Sequence, residues 1–402
     1  YSLASDITGI GFRTADKIAL ATGMDGACEE RIKAGVEYAL NQAASAGHTC
    51  VPEELLLRET VRLLQVSSSV VNDVFQKFLA EDMLRTEEVG GLRLIYPEYL
   101  YQAEVQTSKR LLKLRDLADA LEKVNVDKII GQWESEAGIV LAEAQKEAIH
   151  ASLKYGVFVL TGGPGTGKTT VIKGILAVLE KAGCRILLAA PTGRAARRLA
   201  DSSGHPAVTV HRLLEYTPNG GGFNFGKNDG DPLDADAIII DEASMLDITL
   251  TYHLLKAVQG GCRLIFVGDV DQLPSVGAGS VLKDIIRSQK MPVVRLENVF
   301  RQAEISPIVR NAHRINRGQM PEWEPSSDFT FVEIENEFDA AEYVANIYAR
   351  LTQQSDWQSV QVLSPMHKNP CGVQNLNHLL QQRINPPELN KSEVNTPGNV
   401  LR

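Results

Sequence analysis

Gly162-Gly-Pro-Gly-Thr-Gly-Lys-Thr-Thr has the residue types and spacing of a phosphate cradle. Glycines so placed let successive backbone N–H groups face one anion, a lysine adds full charge at the β- and γ-phosphates, and a following threonine hydroxyl can ligate Mg²⁺. The candidate nucleotide-binding residues are therefore Gly163, Gly165, Thr166, Gly167, Lys168, Thr169 and Thr170. Further along, the apolar run Ile238-Ile-Ile closes on Asp241-Glu242. Asp241 suits Mg²⁺ through its water shell, and Glu242 suits taking a proton from, or orienting, an attacking water. ATP and Mg²⁺ are the cofactors this chemistry implies. A loop and an acidic pair establish nucleotide hydrolysis and leave open what it drives.

Such a site needs strands that end where the loops begin. Val157–Thr161, Arg185–Ala190, Ala237–Asp241, Cys262–Gly268 and Pro292–Leu296 are short apolar runs separated by amphipathic helical stretches. That alternation predicts an α/β fold, a doubly wound parallel sheet with ligands at the carboxyl ends of its strands. The predicted first ATPase domain covers residues 127–296, with a Gly/Asn-rich insertion near 214–233 that exposes Phe223 and Phe225. A second, incomplete domain is expected over 297–402, with helices at 306–317, 338–354 and 372–385 and a strand at 360–364. Ahead of them, 1–50 reads as a helical unit whose Gly9-Ile-Gly11 turn suits either a helix-hairpin-helix approach to phosphate or a plain tight turn. Residues 51–103 read as two helices and a Gly90-Gly91 hairpin, a winged-helix-like unit suited to a scaffold or partner role, and 104–126 as a polar-faced linking helix.

With 402 residues, 44% hydrophobic and 23% charged, the chain is expected to be globular and multidomain. A net charge of −9 excludes a protein that coats nucleic acid by bulk attraction, so any such contact must be local. Five widely spaced cysteines without a metal pattern point to a reducing cytoplasm, and no apolar stretch is long enough to cross a membrane. The absence of an initiator methionine leads us to expect a fragment.

The remaining motifs resemble superfamily 1 helicases, most closely the RecD/TraA family, over nearly the whole chain. Leu141-Ala-Glu-Ala-Gln-Lys resembles the adenine-reading Q motif, in which Gln145 would pair with the base through its amide. Ala190-Pro-Thr-Gly-Arg and Thr209-Val-His-Arg are similar to motifs Ia and Ib. By that resemblance Thr192, Gly193, Arg194, Thr209, His211 and Arg212 contact a nucleic-acid strand, with Arg197 and Arg198 adding local positive charge. Gly268-Asp-Val-Asp-Gln-Leu-Pro-Ser-Val-Gly-Ala-Gly resembles motif III, making Gln272 a γ-phosphate sensor. Val299-Phe-Arg-Gln resembles motif IV, making Arg301 an arginine finger or, alternatively, an interdomain ion-pair partner. The insertion falls where the family places a strand-splitting hairpin, although its composition alone equally describes a flexible loop.

The resemblance implies RecA-like domains that hydrolyse ATP to move 5′-to-3′ along single-stranded DNA toward a duplex junction, in recombination or repair. Possible protein partners would bind through the N-terminal units, and no membrane is involved. Motifs V and VI are not found, so the chain as given is expected to bind nucleotide and hydrolyse it poorly. Two rivals stand beside this: a nucleotide-dependent DNA-binding or assembly module, and the helicase part of a conjugative relaxase.

Overall fold

The computed structural model describes residues 11–81, 84–117, 125–219, 222–297, 306–323, 328–387, 394–396 and 399–401. It divides into two compact units, Tyr1–Ile305 and Ser306–Arg402. Gly9 and Arg301 lie outside the described residues.

The first unit begins with helices α1 (Phe12–Ala21) and α2 (Glu29–Ser45), then a short strand β1 (Val51–Pro52), helices α3 (Glu53–Leu64) and α4 (Ser68–Ala80), and strands β2 (Arg85–Val89) and β3 (Leu92–Tyr96). Ile32, Val36 and Leu40 recur at one-turn spacing on α2 and bury against Leu56, Leu64, Val71, Phe75 and Ile95. Residues on both sides of position 50 thus share one apolar core. Arg31 is 5% exposed within it. Both oxygens of Asp16 accept from its guanidinium at 2.8 and 2.9 Å, and the carbonyls of Gly26 and Leu64 accept at 2.7 and 3.0 Å. A buried charge requires such a full set of partners. The three strands form an antiparallel sheet in the order β1-β3-β2, with the β2–β3 turn at Gly90-Gly91.

Helix α5 runs over Glu98–Leu117. It differs from the expected linking helix: Leu100, Ala103, Leu111 and Leu114 sink into the core of the following domain, so its spacing of apolar residues outweighs its many exposed charges.

Helices α6 (Val126–Ala137) and α7 (Glu143–Lys154) lead into strand β4 (Val157–Gly162) and helix α8 (Lys168–Lys181). Then come β5 (Ile186–Ala190), α9 (Gly193–Ser203), β6 (Ala207–Thr209), α10 (Val210–Leu213), β7 (Tyr216–Asn219), β8 (Gly222–Phe225) and β9 (Ala237–Ile240). Helix α11 (Ile248–Ala257), β10 (Arg263–Gly268), α12 (Val281–Ser288) and β11 (Val293–Leu296) complete the domain. Six of these strands pair in parallel in the order β11-β4-β10-β9-β5-β6. Alternate residues feed two cores: Val157, Ile238 and Phe266 enter one, and Phe158, Ile239 and Ile265 the other. Burial on both faces is why these strands read as continuous apolar runs. The fold is α/β and RecA-like, a doubly wound parallel sheet. Strand β6, whose end the Thr209 motif implied although the strand was not among the apolar runs, extends it at one edge.

The second unit contains α13 (Pro307–Asn316), α14 (Glu337–Gln354), α15 (Val373–Ile384) and a hairpin of β12 (Val394–Thr396) with β13 (Asn399–Leu401). Ala341, Ala345, Tyr348 and Leu376 are its buried apolar residues among those described. The strand expected at 360–364 is absent there. An extended segment becomes a strand only by pairing, and no described strand runs alongside it.

Candidate active site

The phosphate loop leaves the end of β4 and enters α8 at Lys168. Gly165 and Gly167 have φ of 74° and 84°, which a side chain would strain, and so turn the loop around an anion-sized centre at the helix start. Lys168 lies folded over the loop, its Nζ donating to the carbonyls of Gly162 at 2.6 Å and Gly163 at 3.0 Å. The Thr166 hydroxyl donates to Gly163 O at 2.9 Å. Thr169 and Thr170 follow on the first turn of α8, both half-buried.

Asp241 and Glu242 emerge from β9. The Asp241 N–H donates to Ala189 O at 2.9 Å, and Asp241 Oδ1 accepts from the Glu242 N–H at 2.9 Å. Glu242 holds a left-handed backbone with φ 52° before a 3₁₀ turn, Ala243–Met245. A non-glycine residue there carries strain of about 1 kcal/mol, the kind of departure that clusters at functional positions. Burial pushes the Asp241 carboxyl up and the Lys168 ammonium down. Opposing the fall at Lys168 are, in order, the charges of Asp269, Glu242 and Asp241, so groups from three segments remote in sequence act on one another.

Asp269 is a member of that group whose role the sequence did not reveal. It is 3% exposed at the end of β10, where its Oδ1 accepts from the Asp271 N–H at 3.0 Å. The signal was present: a carboxylate ending an apolar run, as at Asp241. Arg198, expected only as local positive charge for a nucleic-acid strand, also bears on both Lys168 and Asp241. Gln272 sits three residues beyond Asp269, its N–H bonded to Asp269 O at 3.3 Å and its side chain exposed.

Gln145, expected to pair with the base through its amide, lies in the first turn of α7. It is 2% exposed; its Oε1 accepts from the Ala142 N–H at 3.0 Å, and its Nε2 donates to Thr166 O at 3.4 Å. Both ends brace the phosphate loop against α7.

The candidate strand-binding residues lie along the far edge of the sheet, after β5 and β6. Thr192 and Thr209 cap α9 and α10, their hydroxyls accepting from the N–H groups of Ala195 at 3.3 Å and Arg212 at 3.1 Å. A capping hydroxyl still has its own proton to donate to a phosphate. Gly193, Arg194, His211 and Arg212 are exposed beside them.

Strands β7 and β8 form the antiparallel hairpin of the insertion, with Tyr216 directly opposite Phe225. Phe225 is not exposed as its Gly/Asn-rich surroundings suggested. It is 7% exposed and packs on His253 at 4.4 Å and Tyr216 at 5.2 Å between ring centres. His211 meets Tyr216 edge-on at 5.5 Å. The root of the hairpin is therefore fixed to α10 and α11 by aromatic packing. Asp229, just beyond it, accepts two hydrogen bonds of 2.7 Å from Arg110 on α5.

The chain matches two family models: residues 145–278 that of an AAA domain, and residues 1–50 that of the HHH domain of the ATP-dependent RecD2 DNA helicase. The ATP-dependent RecD2 DNA helicase of Deinococcus radiodurans is 36% identical over 396 residues, covering 96% of this chain. These matches support a RecD-like superfamily 1 helicase. The RecD subunit of the RecBCD enzyme of Mycobacterium tuberculosis is 44% identical over 167 residues, 36% of this chain and 28% of that protein. The chain spans 53% of the Deinococcus RecD2 protein. A crystal structure of Pif1 helicase from Candida albicans shows a weak likeness, with TM-score 0.35 and 17% identity over 56% of each chain. Among the described residues of this RecD-like chain, no helix is long and apolar enough to cross a membrane.

Proposed function

We propose that this RecD-like chain is the ATP-driven part of a cytoplasmic DNA helicase that moves along single-stranded DNA toward a duplex junction. The observation that carries this is the meeting of Lys168, Asp241, Glu242 and Asp269 at the phosphate loop, with the 269–280 loop leaving from that point. In this proposal the N–H groups of Gly163–Thr170 and the Lys168 ammonium hold the phosphates. Lys168 exchanges the carbonyls of Gly162 and Gly163 for phosphate oxygens.

Mg²⁺ fits the site. Asp241 is a half-buried carboxylate whose desolvation raises its pKa, and such a carboxylate, the Thr169 hydroxyl, nucleotide oxygens and water are the ligands Mg²⁺ prefers. When bound, Mg²⁺ would neutralise charge on the β- and γ-phosphates. Glu242 orients the attacking water and takes its proton, Gln272 senses the γ-phosphate, and Gln145 holds the loop in place. Arg301 is proposed as an arginine finger on its sequence motif.

Thr192, Gly193, Arg194, Thr209, His211 and Arg212 would grip the strand, and the β7–β8 hairpin would part the duplex. The 5′-to-3′ polarity, the role in recombination or repair, and protein partners at the N-terminal units are proposed from the family alone.

The test is Lys168→Ala in the full-length protein, with ATP turnover measured with and without single-stranded DNA. Turnover should vanish while circular dichroism stays unchanged. Persistent turnover would refute the assignment of the loop. Turnover in the parent protein that DNA leaves unstimulated would instead favour a nucleotide-dependent binding module.

A further inference from the structure

A cavity of about 330 Å³ opens between α5, α12 and the end of the 269–280 loop, away from the phosphate loop. Its wall is largely apolar, with Leu111, Ile285 and Met291 among the lining residues, and it carries two carboxylates, Glu104 and Asp284. Burial raises the carboxyls of both, and the charge of Asp284 further raises that of Glu104. Lys283 and Arg287, on the same helix as Asp284, offset its burial only in part. Lys290 lines the cavity from an exposed position. A half-buried acid, Glu104, and a second at the exposed rim, Asp284, beside an apolar wall favour the arrival of a cation.

A second feature is independent of charge. Thr107 lines the same cavity, is 4% exposed, and its hydroxyl has no hydrogen-bond partner. Buried hydroxyls are normally bonded, and a helical threonine has two accessible χ1 rotamers. Rotation from one to the other exchanges its methyl and hydroxyl, offering the oxygen to an occupant.

The surroundings give occupancy a consequence. Thr49 lies near Glu104 and acts to lower its carboxyl pKa, a Cβ at Gly279 would lie 3.4 Å from Thr49 Cγ2, and the Gly279 N–H donates to Gly47 O at 3.0 Å. Gly279 and Ser280 are themselves part of the cavity wall. A cation that draws Glu104 from Thr49 therefore acts on the tie between residues 47–49 and the end of the loop that starts at Asp269.

We propose that this cavity binds a small organic cation, an ammonium on an apolar body of about ten heavy atoms, and that its occupancy loosens the 269–280 loop from residues 47–49. The ammonium would lie between Glu104 and Asp284, with the apolar body against Leu111, Ile285 and Met291.

The probe is phenethylammonium, with neutral 2-phenylethanol and anionic phenylacetate as controls. Binding is followed by saturation-transfer NMR and calorimetry without nucleotide. Phenethylammonium should bind with Kd on the order of 1 mM, as expected of so small a ligand, and both controls at least about tenfold more weakly. Asp284→Asn, at the exposed rim, should weaken phenethylammonium about tenfold, the scale of one lost charge contact, and Thr107→Leu should block it by filling the cavity. Saturating probe should raise amide hydrogen exchange over residues 277–280. Absence of saturation transfer at about 10 mM probe, equal binding of all three probes, or unchanged affinity in Asp284→Asn would overturn the site. Binding without altered exchange would overturn the coupling to the loop. Neither readout involves ATP, so these failures are distinguishable from a failure of the proposed hydrolysis.

Discussion

Gly277→Ala is a direct test of how the 269–280 loop is seated on the segment that follows the acidic pair. A Cβ at Gly277 would lie 2.4 Å from Asp247 Oδ2, 2.8 Å from its Cγ and 2.9 Å from its Cβ. Asp247 has little freedom to retreat, because its side chain caps α11, Oδ1 accepting from the Leu250 N–H at 2.7 Å. The loop is also pinned: the Ser275 hydroxyl bonds the carbonyls of Gly277 and Gly279, and the Ile248 N–H donates to Ala278 O at 2.9 Å. Overpacking costs about 1–3 kcal/mol and a lost aspartate cap about 1 kcal/mol, so Gly277→Ala should destabilise by about 2–4 kcal/mol. Asp247→Gly alone should cost only a few tenths of a kcal/mol, since glycine is itself a tolerated cap. The double variant Asp247→Gly/Gly277→Ala removes all three offending atoms. It should fall within about 1 kcal/mol of the parent, a coupling of about −2 kcal/mol. Urea unfolding followed by circular dichroism gives the cycle, and hydrogen exchange at the Leu250 amide reports the cap itself. Additive costs would show that the loop does not rest on Asp247.

Three further outcomes follow from the same geometry. Asp269→Asn keeps the acceptor for Asp271 but removes the first charge opposing burial of Lys168. It should cost about 1–3 kcal/mol without nucleotide, a deficit that shrinks when bound ATP supplies the missing charge; thermal unfolding with and without MgATP checks this, and an equal deficit in both would refute it. Replacing residues 218–223 by a short turn should leave single-strand-stimulated ATPase intact and remove unwinding. Phe225→Ala should instead destabilise the hairpin root by about 3–5 kcal/mol, seen as faster exchange in Tyr216–Asn219. The hydrogen bond that His205 Nε2–H donates to the Glu180 carboxylate raises the His205 pKa above its ordinary value. A raised folded pKa gives stability that is complete below the unfolded value and lost as pH rises through the folded one. His205→Gln should therefore be less stable than the parent near pH 6, by under about 0.5 kcal/mol for so exposed a pair, and equal to it near pH 8.

The central strands were legible because burial on both faces removes polar residues from them, and glycine or aspartate marks the ends of β4, β9 and β10. Strand β6 was marked only at its end, by the Thr209 motif, since Ala207-Val-Thr is too short to show a period and joins the sheet by pairing with Leu188–Ala190. Helix α5 misled by its many charges. Its apolar positions are spaced for one face, and the partner that covers them, α11, lies far along the chain. Phe225 misled for a related reason: its glycine and asparagine neighbours describe a loop, while its environment is set by His253 on another element. The Gly162–Thr169 and Asp241–Glu242 motifs were visible because their chemistry is local. Asp269 and Arg198 act through neighbours that only the fold brings near.

Sheet order explains how those local motifs become one device. Strand β10 lies between β4 and β9, so the loop that starts at Asp269 emerges between the phosphate loop and the acidic pair, about 4.8 Å from each neighbouring strand. In sequence it is the last of the three; in space it is the middle one. Strands β5 and β6 continue outward from β9, which places Thr192 and Thr209 progressively farther from the phosphates. Nucleotide chemistry and the candidate strand grip therefore occupy successive positions along one row of strand ends. The Asp241 N–H bond to Ala189 O joins the acidic pair to the strand preceding Thr192. A change at the γ-phosphate has a short physical route in two directions, through Asp269 into the 269–280 loop and through Asp241 into the β5 end. The packing of Gly277 against Asp247 closes these routes into a ring, because Asp247 follows Glu242 by only one 3₁₀ turn. The loop therefore cannot shift without acting on the segment that holds Glu242 in its left-handed conformation.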